Sequence, residues 1–402
     1  MSLQEKFTDL SLKQSKLAIL PNLNFADNTS FNSGRRQNPT NFTLITQSSI
    51  TTGMQLQSSA DIFNWFSKKN TIAANEWEMQ AAKANTDKLK NDIALAVANF
   101  YLQVLLAKEQ ENITTVQLQQ SQAQLSNTRK MVDAGALPEL NAAELEAQVA
   151  RDSANVIAAA GNITTAILNL KAYMSIPADQ PFDIESPTVD KIPVDPIADL
   201  QPDAVYASAL ANLPQQRYNG FKLKAAAKNA QVSKAAMYPT IAGFGGLNTN
   251  YISIVSGNIK TDPFFKQLNT NFSQSVGINI NVPIFNGGSA KTNYKRSLLT
   301  INNLELQKEI DNQKIKQDIY GAYNNALVAL EKFNAGKKTL DASERTYNFA
   351  KKRYDVGMLA TFELITNQNN LLRAKLEYVL NQFDYVFKMK VLEFYKGQGL
   401  KL

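Results

Sequence analysis

Apolar residues fall on even positions through Phe42, Leu44, Ile50, Met54 and Leu56, while Thr43, Gln47, Ser49, Thr51, Gln55 and Gln57 hold the odd ones. A period of two marks a strand with one greasy face. The same alternation sets Phe272, Val276, Ile278, Ile280 and Val282 against Asn271, Ser273, Ser275, Asn279 and Asn281. Partner strands near Leu17 to Phe31 and Pro239 to Ile254 alternate less cleanly. The pattern therefore predicts strands over 17–31, 42–62, 239–254 and 268–285.

After each pair of strands the period changes. Ile93, Val97, Phe100, Val104, Ala107, Glu111, Thr114, Leu118, Ser121, Leu125, Thr128 and Val132 step by four and three, the seam of a coiled coil. Ile315, Ile319, Ala322, Ala326, Ala329, Phe333, Gly336, Leu340, Ser343, Tyr347, Ala350 and Tyr354 keep that phase later in the chain. Returning helices follow, through Leu145 to Tyr173 and through Ile365 to Val386. Helices are expected over 66–131, 138–174, 288–354 and 361–396. At a rise of about 1.5 Å per residue the first would be roughly 100 Å long, far beyond a compact domain. Its Ala, Ser, Thr and Gly seam allows close approach but buries little apolar area, so an isolated hairpin would lean on neighbours.

The chain is an internal duplication. Ile62, Phe63 and Asn64 recur as Ile284, Phe285 and Asn286, and Asp133, Gly135 and Leu137 recur as Asp355, Gly357 and Leu359, both at an offset of 222 residues. Tyr101 with Tyr323, Ala107 with Ala329 and Glu109 with Glu331 share it, and Leu20, Pro21 and Asn22 match Tyr238, Pro239 and Thr240 with a small gap. Residues 1–174 read as the first repeat and 203–402 as the second. The span 175–202 carries Pro177, Pro181, Pro187, Pro193, Pro196 and Pro202, and implies an extended connector.

Composition narrows the function. Cys and His are absent, which removes thiol nucleophiles, imidazole bases and most transition-metal sites, so no catalytic residue, cofactor or metal is expected. A net charge of +7, from 42 Lys and Arg against 35 Asp and Glu, is spread along the chain and does not point to nucleic acid. No apolar run reaches the length of a membrane helix, and the first residues do not open a signal peptide, so an exported protein would be met here in its mature or trimmed form. A β-barrel stays open. Four strands in two lone hairpins make neither an ordinary soluble sheet nor a closed barrel, which needs about eight; three copies would supply twelve. Phe63, Trp65, Phe66 and Phe285 lie at the strand-to-helix junctions, where an interfacial aromatic belt is expected.

At the far end of each helical hairpin sit Asp133 to Pro138 and Asp355 to Thr361, each with a Gly suited to a left-handed helix end. The duplicated strand and helix layout, Leu20 to Leu23, Ile284 to Asn286, and the Val356 to Thr361 tip together resemble the TolC family of outer-membrane efflux proteins over essentially the whole chain. That resemblance implies a mixed α+β membrane protein: a homotrimer with a 12-stranded β-barrel continued by a 12-helix α-barrel. It implies an exit duct of an efflux or type I secretion system, in the outer membrane with a large periplasmic extension. Its partners would be outer-membrane lipid, a periplasmic adaptor and an inner-membrane transporter. Gly135, Leu137, Val356, Gly357 and Thr361 match the tip positions that dock the adaptor in that family.

The family commonly carries an acid six residues after the second tip glycine, lining the constriction; here that position is Glu363. Asp355 and Glu139 are the other candidate gate carboxylates, Asn141 taking the six-residue place in the first hairpin. Glu363 is equally a residue that favours a helix start. Thr366 and Asn367 stand where some relatives have a second acid. The helix before Pro21 is shorter than the segment before Pro239, so part of the family's first helix is expected to be missing. The alternative from another class is a soluble periplasmic coiled-coil adaptor or scaffold.

Overall fold

The structure, a computed structural model, describes residues 2–37, 42–185, 192–256 and 260–397. Helix α1 (Leu3–Leu17) leads into strands β1 (Asn22–Gln37) and β2 (Leu44–Phe63), then helices α2 (Ser67–Asp133) and α3 (Glu139–Tyr173). After the connector come α4 (Pro202–Asn212) and α5 (Pro214–Ala235), β3 (Thr240–Ile254), α6 (Phe264–Thr270), β4 (Ser273–Asn281), α7 (Ser289–Asp355) and α8 (Thr361–Lys396). Pro187 and the residues around it lie outside the described residues.

Two expected strands are corrected. Residues 17–20 are not strand: Leu17 ends α1 and the next three residues close its last turn, with Leu20 N–H donating to Leu17 O at 3.0 Å. A capping box between Ser2 and Glu5 starts that helix, and Pro21 cannot continue it. β1 instead runs on to Gln37, because β2 supplies partners as far as Leu44. The fourth strand covers only 273–281 of the expected 268–285. Residues 268–270 belong to α6, which opens behind Pro263, and Pro283 lacks the N–H a longer ladder would need.

The chain divides into two compact units, Met1–Ala84 with Arg217–Lys308, and Asn85–Gln216 with Glu309–Leu402. They do not coincide with the sequence repeats; each takes a segment from both, since α2 and α7 each run from one unit into the other.

In the first unit the order is β1-β2-β3-β4, antiparallel throughout, so β1 and β4 are its open edges. Register sorts the side chains. Phe25 pairs with Leu56, Leu56 with Leu247, and Ile241 with Ile280, which gathers the apolar residues on one face. The opposite face carries Asn24, Gln57, Gln55, Asn248, Ser275 and Asn279. That apolar face is uncovered: Phe25, Val276 and Ile278 are 66%, 91% and 65% exposed. Beyond β4, helix α6 substitutes for a strand on the outer edge of β3. Gln267 accepts from Ile252 N–H at 3.0 Å and donates to Ile252 O at 2.9 Å, and Asn271 donates to Asn250 O at 2.8 Å.

In the second unit the expected seams are buried or half-buried, apart from the exposed Ile93 and Tyr173. α7 and α8 pack closely at Gly336, where a Cβ would meet Asn381 Nδ2 at 3.1 Å, and Phe333 stacks on Tyr378. Towards the tips the interior turns polar. Ser121 on α2 donates to Asp152 Oδ2 on α3 at 2.5 Å, and Gln148 Nε2 donates to Asp152 Oδ1 at 2.9 Å. From α8, Gln368 Nε2 donates to Ser121 Oγ at 2.8 Å, joining the two hairpins. All four of these side chains are fully buried. The connector lies along the helices: Lys171 donates to the carbonyls of Ala178 and Gln180, and the buried Lys390–Glu393 pair receives Asp195 N–H at 2.8 Å.

Candidate functional site

The hairpin tips are built the same way twice. In the first, Ala136 N–H donates to Met131 O and Gly135 N–H to Val132 O, both at 2.8 Å, with Gly135 at φ +71°. In the second, Met358 N–H reaches Arg353 O at 2.8 Å and Gly357 N–H reaches Tyr354 O at 2.9 Å, with Gly357 at φ +74°. This is the paired-bond ending that a left-handed Gly permits. Pro138 and Ala360 then cap the returning helices in extended conformation.

The tip residues separate into two groups. Gly135, Val356 and Gly357 are exposed, and Leu137 is half-buried. Thr361 is not on the surface: it is 2% exposed and its hydroxyl donates to Tyr354 Oη at 3.4 Å, which in turn lies 3.0 Å from Thr128 Oγ1. Its side chain holds the tip in place. Sequence reasoning missed three exposed apolar residues here, Leu140, Met358 and Phe362, each 65% exposed or more. For Leu140 and Phe362 the signal was present, since the heptad phase turns both away from the seam, whereas Met358 lies in the turn between α7 and α8.

The candidate gate carboxylates are not equivalent. Glu363 is exposed in the first turn of α8, and Asp355 is exposed at the end of α7. Burial, with the Asp355 charge second, pushes the Tyr347 hydroxyl above its ordinary value. Glu139 is already engaged: Arg129 on α2 holds both Glu139 and Glu146 on α3, and those carboxylates raise the guanidinium further. Glu139 is thus a tie between helices, not a free carboxylate.

At the junctions, Phe63 lies 5.4 Å from Trp65 and 5.9 Å from Phe66, centroid to centroid, and Trp65 lies 4.6 Å from Tyr238, which the sequence marked as a repeat position but not as part of the aromatic belt. Phe285 stands almost fully exposed. Among the described residues no group of acidic side chains could hold a metal ion, and no helix is long and apolar enough to cross a membrane.

The family model described as "Outer membrane efflux protein" matches residues 9–175 and 205–392. The outer membrane efflux protein BepC of Brucella suis is 23% identical over 84% of this chain and 69% of its own length. The outer membrane protein TolC of Escherichia coli is 21% identical over 93% and 74%. Among solved structures, the outer membrane protein VceC of Vibrio cholerae superposes with a TM-score of 0.77 over 99% of this chain and 92% of that one, at 16% identity. This superposition carries the fold.

Proposed function

Because this chain belongs to the outer membrane efflux protein family, we propose that three copies assemble into one channel, a passive exit duct for an efflux or secretion system. The observation that carries this is the sheet: four strands, two open edges and an uncovered apolar face. An edge strand left open is a template for pairing. Joining β4 of one copy to β1 of the next removes every edge, hides the polar face in a lumen and turns the apolar face to lipid. Three copies give twelve strands.

On this reading the exposed tip residues Gly135, Val356 and Gly357, with Leu140, Met358 and Phe362 beside them, receive the hairpins of a periplasmic adaptor linked to an inner-membrane transporter. Leu137 and Thr361 support that surface from beneath. Glu363 and Asp355 are the gate carboxylates; three copies of each around a constriction attract cations and repel anions. Chemistry is left to the partners.

The test is the mass of the complex extracted in detergent from membranes: three times 44.5 kDa is expected, and a monomer that needs no detergent overturns the proposal. In planar bilayers, Glu363→Gln is expected to raise anion relative to cation conductance, and unchanged selectivity removes Glu363 from the gate.

A further inference from the structure

The two strand-to-helix junctions are the same turn with different residues. Ser67 N–H bonds Asn64 O and Asn70 N–H bonds Phe66 O; at the 222-residue offset Ser289 bonds Asn286 and Thr292 bonds Gly288. In the second junction the two left-handed positions are Gly287 and Gly288, at φ +63° and +77°. In the first they are Trp65 and Phe66, at φ +51° and +61°. Bulky aromatic side chains are strained there and glycine is not. Strain that the fold demonstrably avoids in its own second copy points to a role for the rings themselves.

Their placement indicates which role. The ladder of β2 with β3 slips between Asp61 and Phe63, so that Phe63 pairs with Ile241. Without that bulge Phe63 would fall on the polar face; with it the ring joins Ile241 and Ile280 on the apolar one. Trp65 and Phe66 continue the patch and remain 40% and 61% exposed. Cations flank it. Lys68 and Lys69 open α2, Lys234 ends α5, and Lys291, Lys295 and Arg296 lie in the first two turns of α7. Asp61 is paired with Lys68 at 2.8 Å, and no Asp or Glu occurs in 62–75, 217–261 or 263–304.

We propose that the Phe63, Trp65, Phe66 and Tyr238 cluster is an asymmetric anchor for anionic phospholipid, its rings at the bilayer interface and the neighbouring cations on the lipid phosphates. The inference rests on the channel reading, which turns the apolar face to lipid. Apolar contact continuous with that face and a one-signed rim of charge are the chemistry such a headgroup layer recognises.

The chain has two tryptophans, so Trp77→Phe leaves Trp65 as the sole reporter. The variant is reconstituted in mixed vesicles in which either phosphatidylglycerol or phosphatidylcholine carries bromine, and quenching of Trp65 is compared. Brominated phosphatidylglycerol is expected to compete for the site about fivefold better, the factor one basic residue near an anionic surface provides. Lys69→Gln with Lys234→Gln and Lys291→Gln should abolish that preference while keeping the quenching. Equal quenching by the two lipids overturns the anionic preference, and no quenching overturns the anchor. If Trp77→Phe lowers the yield, the difference between the unaltered protein and Trp65→Phe gives the same signal. A reporter on the sheet, Val276→Trp with both native tryptophans changed to Phe, separates the failures. Quenched there but not at Trp65, the anchor alone falls; quenched at neither, the channel reading falls with it.

Discussion

The sheet of the first unit and the part of the second unit's helical interior nearest the tips both depart from a water-soluble core, in opposite senses. The sheet leaves Val276 and Ile278 uncovered, whereas the helices enclose Ser121, Gln148, Asp152 and Gln368. The difference is one of surroundings. Apolar side chains can face outward where the solvent is lipid, and polar ones can be enclosed where small neighbours bring helices close enough for most groups to find a partner, Gln368 Oε1 being left without one. Neither region would be stable if exchanged for the other.

The largest expected effect comes from putting a charge on the exposed sheet face. Val276→Lys should destabilise the assembled protein in lipid vesicles by about 2 to 4 kcal/mol, the cost of a cation at mid-bilayer. In water an exposed substitution of this kind is worth within about 0.5 kcal/mol, so a denaturation midpoint in lipid decides what that face meets. Next is the polar interior. Asp152→Ala strips the acceptor from the Ser121 hydroxyl and one from the Gln148 amide, and should cost about 3 kcal/mol. Adding Ser121→Ala should then cost less than it does alone, because the orphaned hydroxyl is gone; strictly additive losses in a double-mutant cycle would show that the two do not interact. The smallest effect is on the polar face of the sheet, where a Cβ at Gly277 would lie 2.8 Å from Phe244 Cζ. Gly277→Ala should cost about 1 to 2 kcal/mol by overpacking, relieved by Phe244→Leu, as read from thermal unfolding.

Much of this was legible from the chain. The heptad phase located four long helices because backbone bonds within a helix are local and only its apolar stripe depends on neighbours. The 222-residue offset placed both tip glycines, and their φ values confirm the left-handed ending. What was not legible involves partners distant in sequence. The buried row Gln117 and Gln124 carries no apolar signal, and nothing short of the packed helices places Gln368 beside Ser121. Thr361 matched a tip motif, yet its hydroxyl is turned inward to Tyr354, and Glu139, a candidate gate carboxylate two residues before the matching position, is claimed by Arg129.

The sequence by itself determined the duplicated order of strands, helices and turns, the greasy face of each clean strand and the absence of Cys and His chemistry, because periodicity and composition act locally. Tertiary structure alone decided where β1 and β4 begin and end, since strand limits follow from the partner that supplies the ladder. It also decided that Phe63 lies on the apolar face, because a single bulge reverses every side chain beyond it, and no residue type announces a bulge.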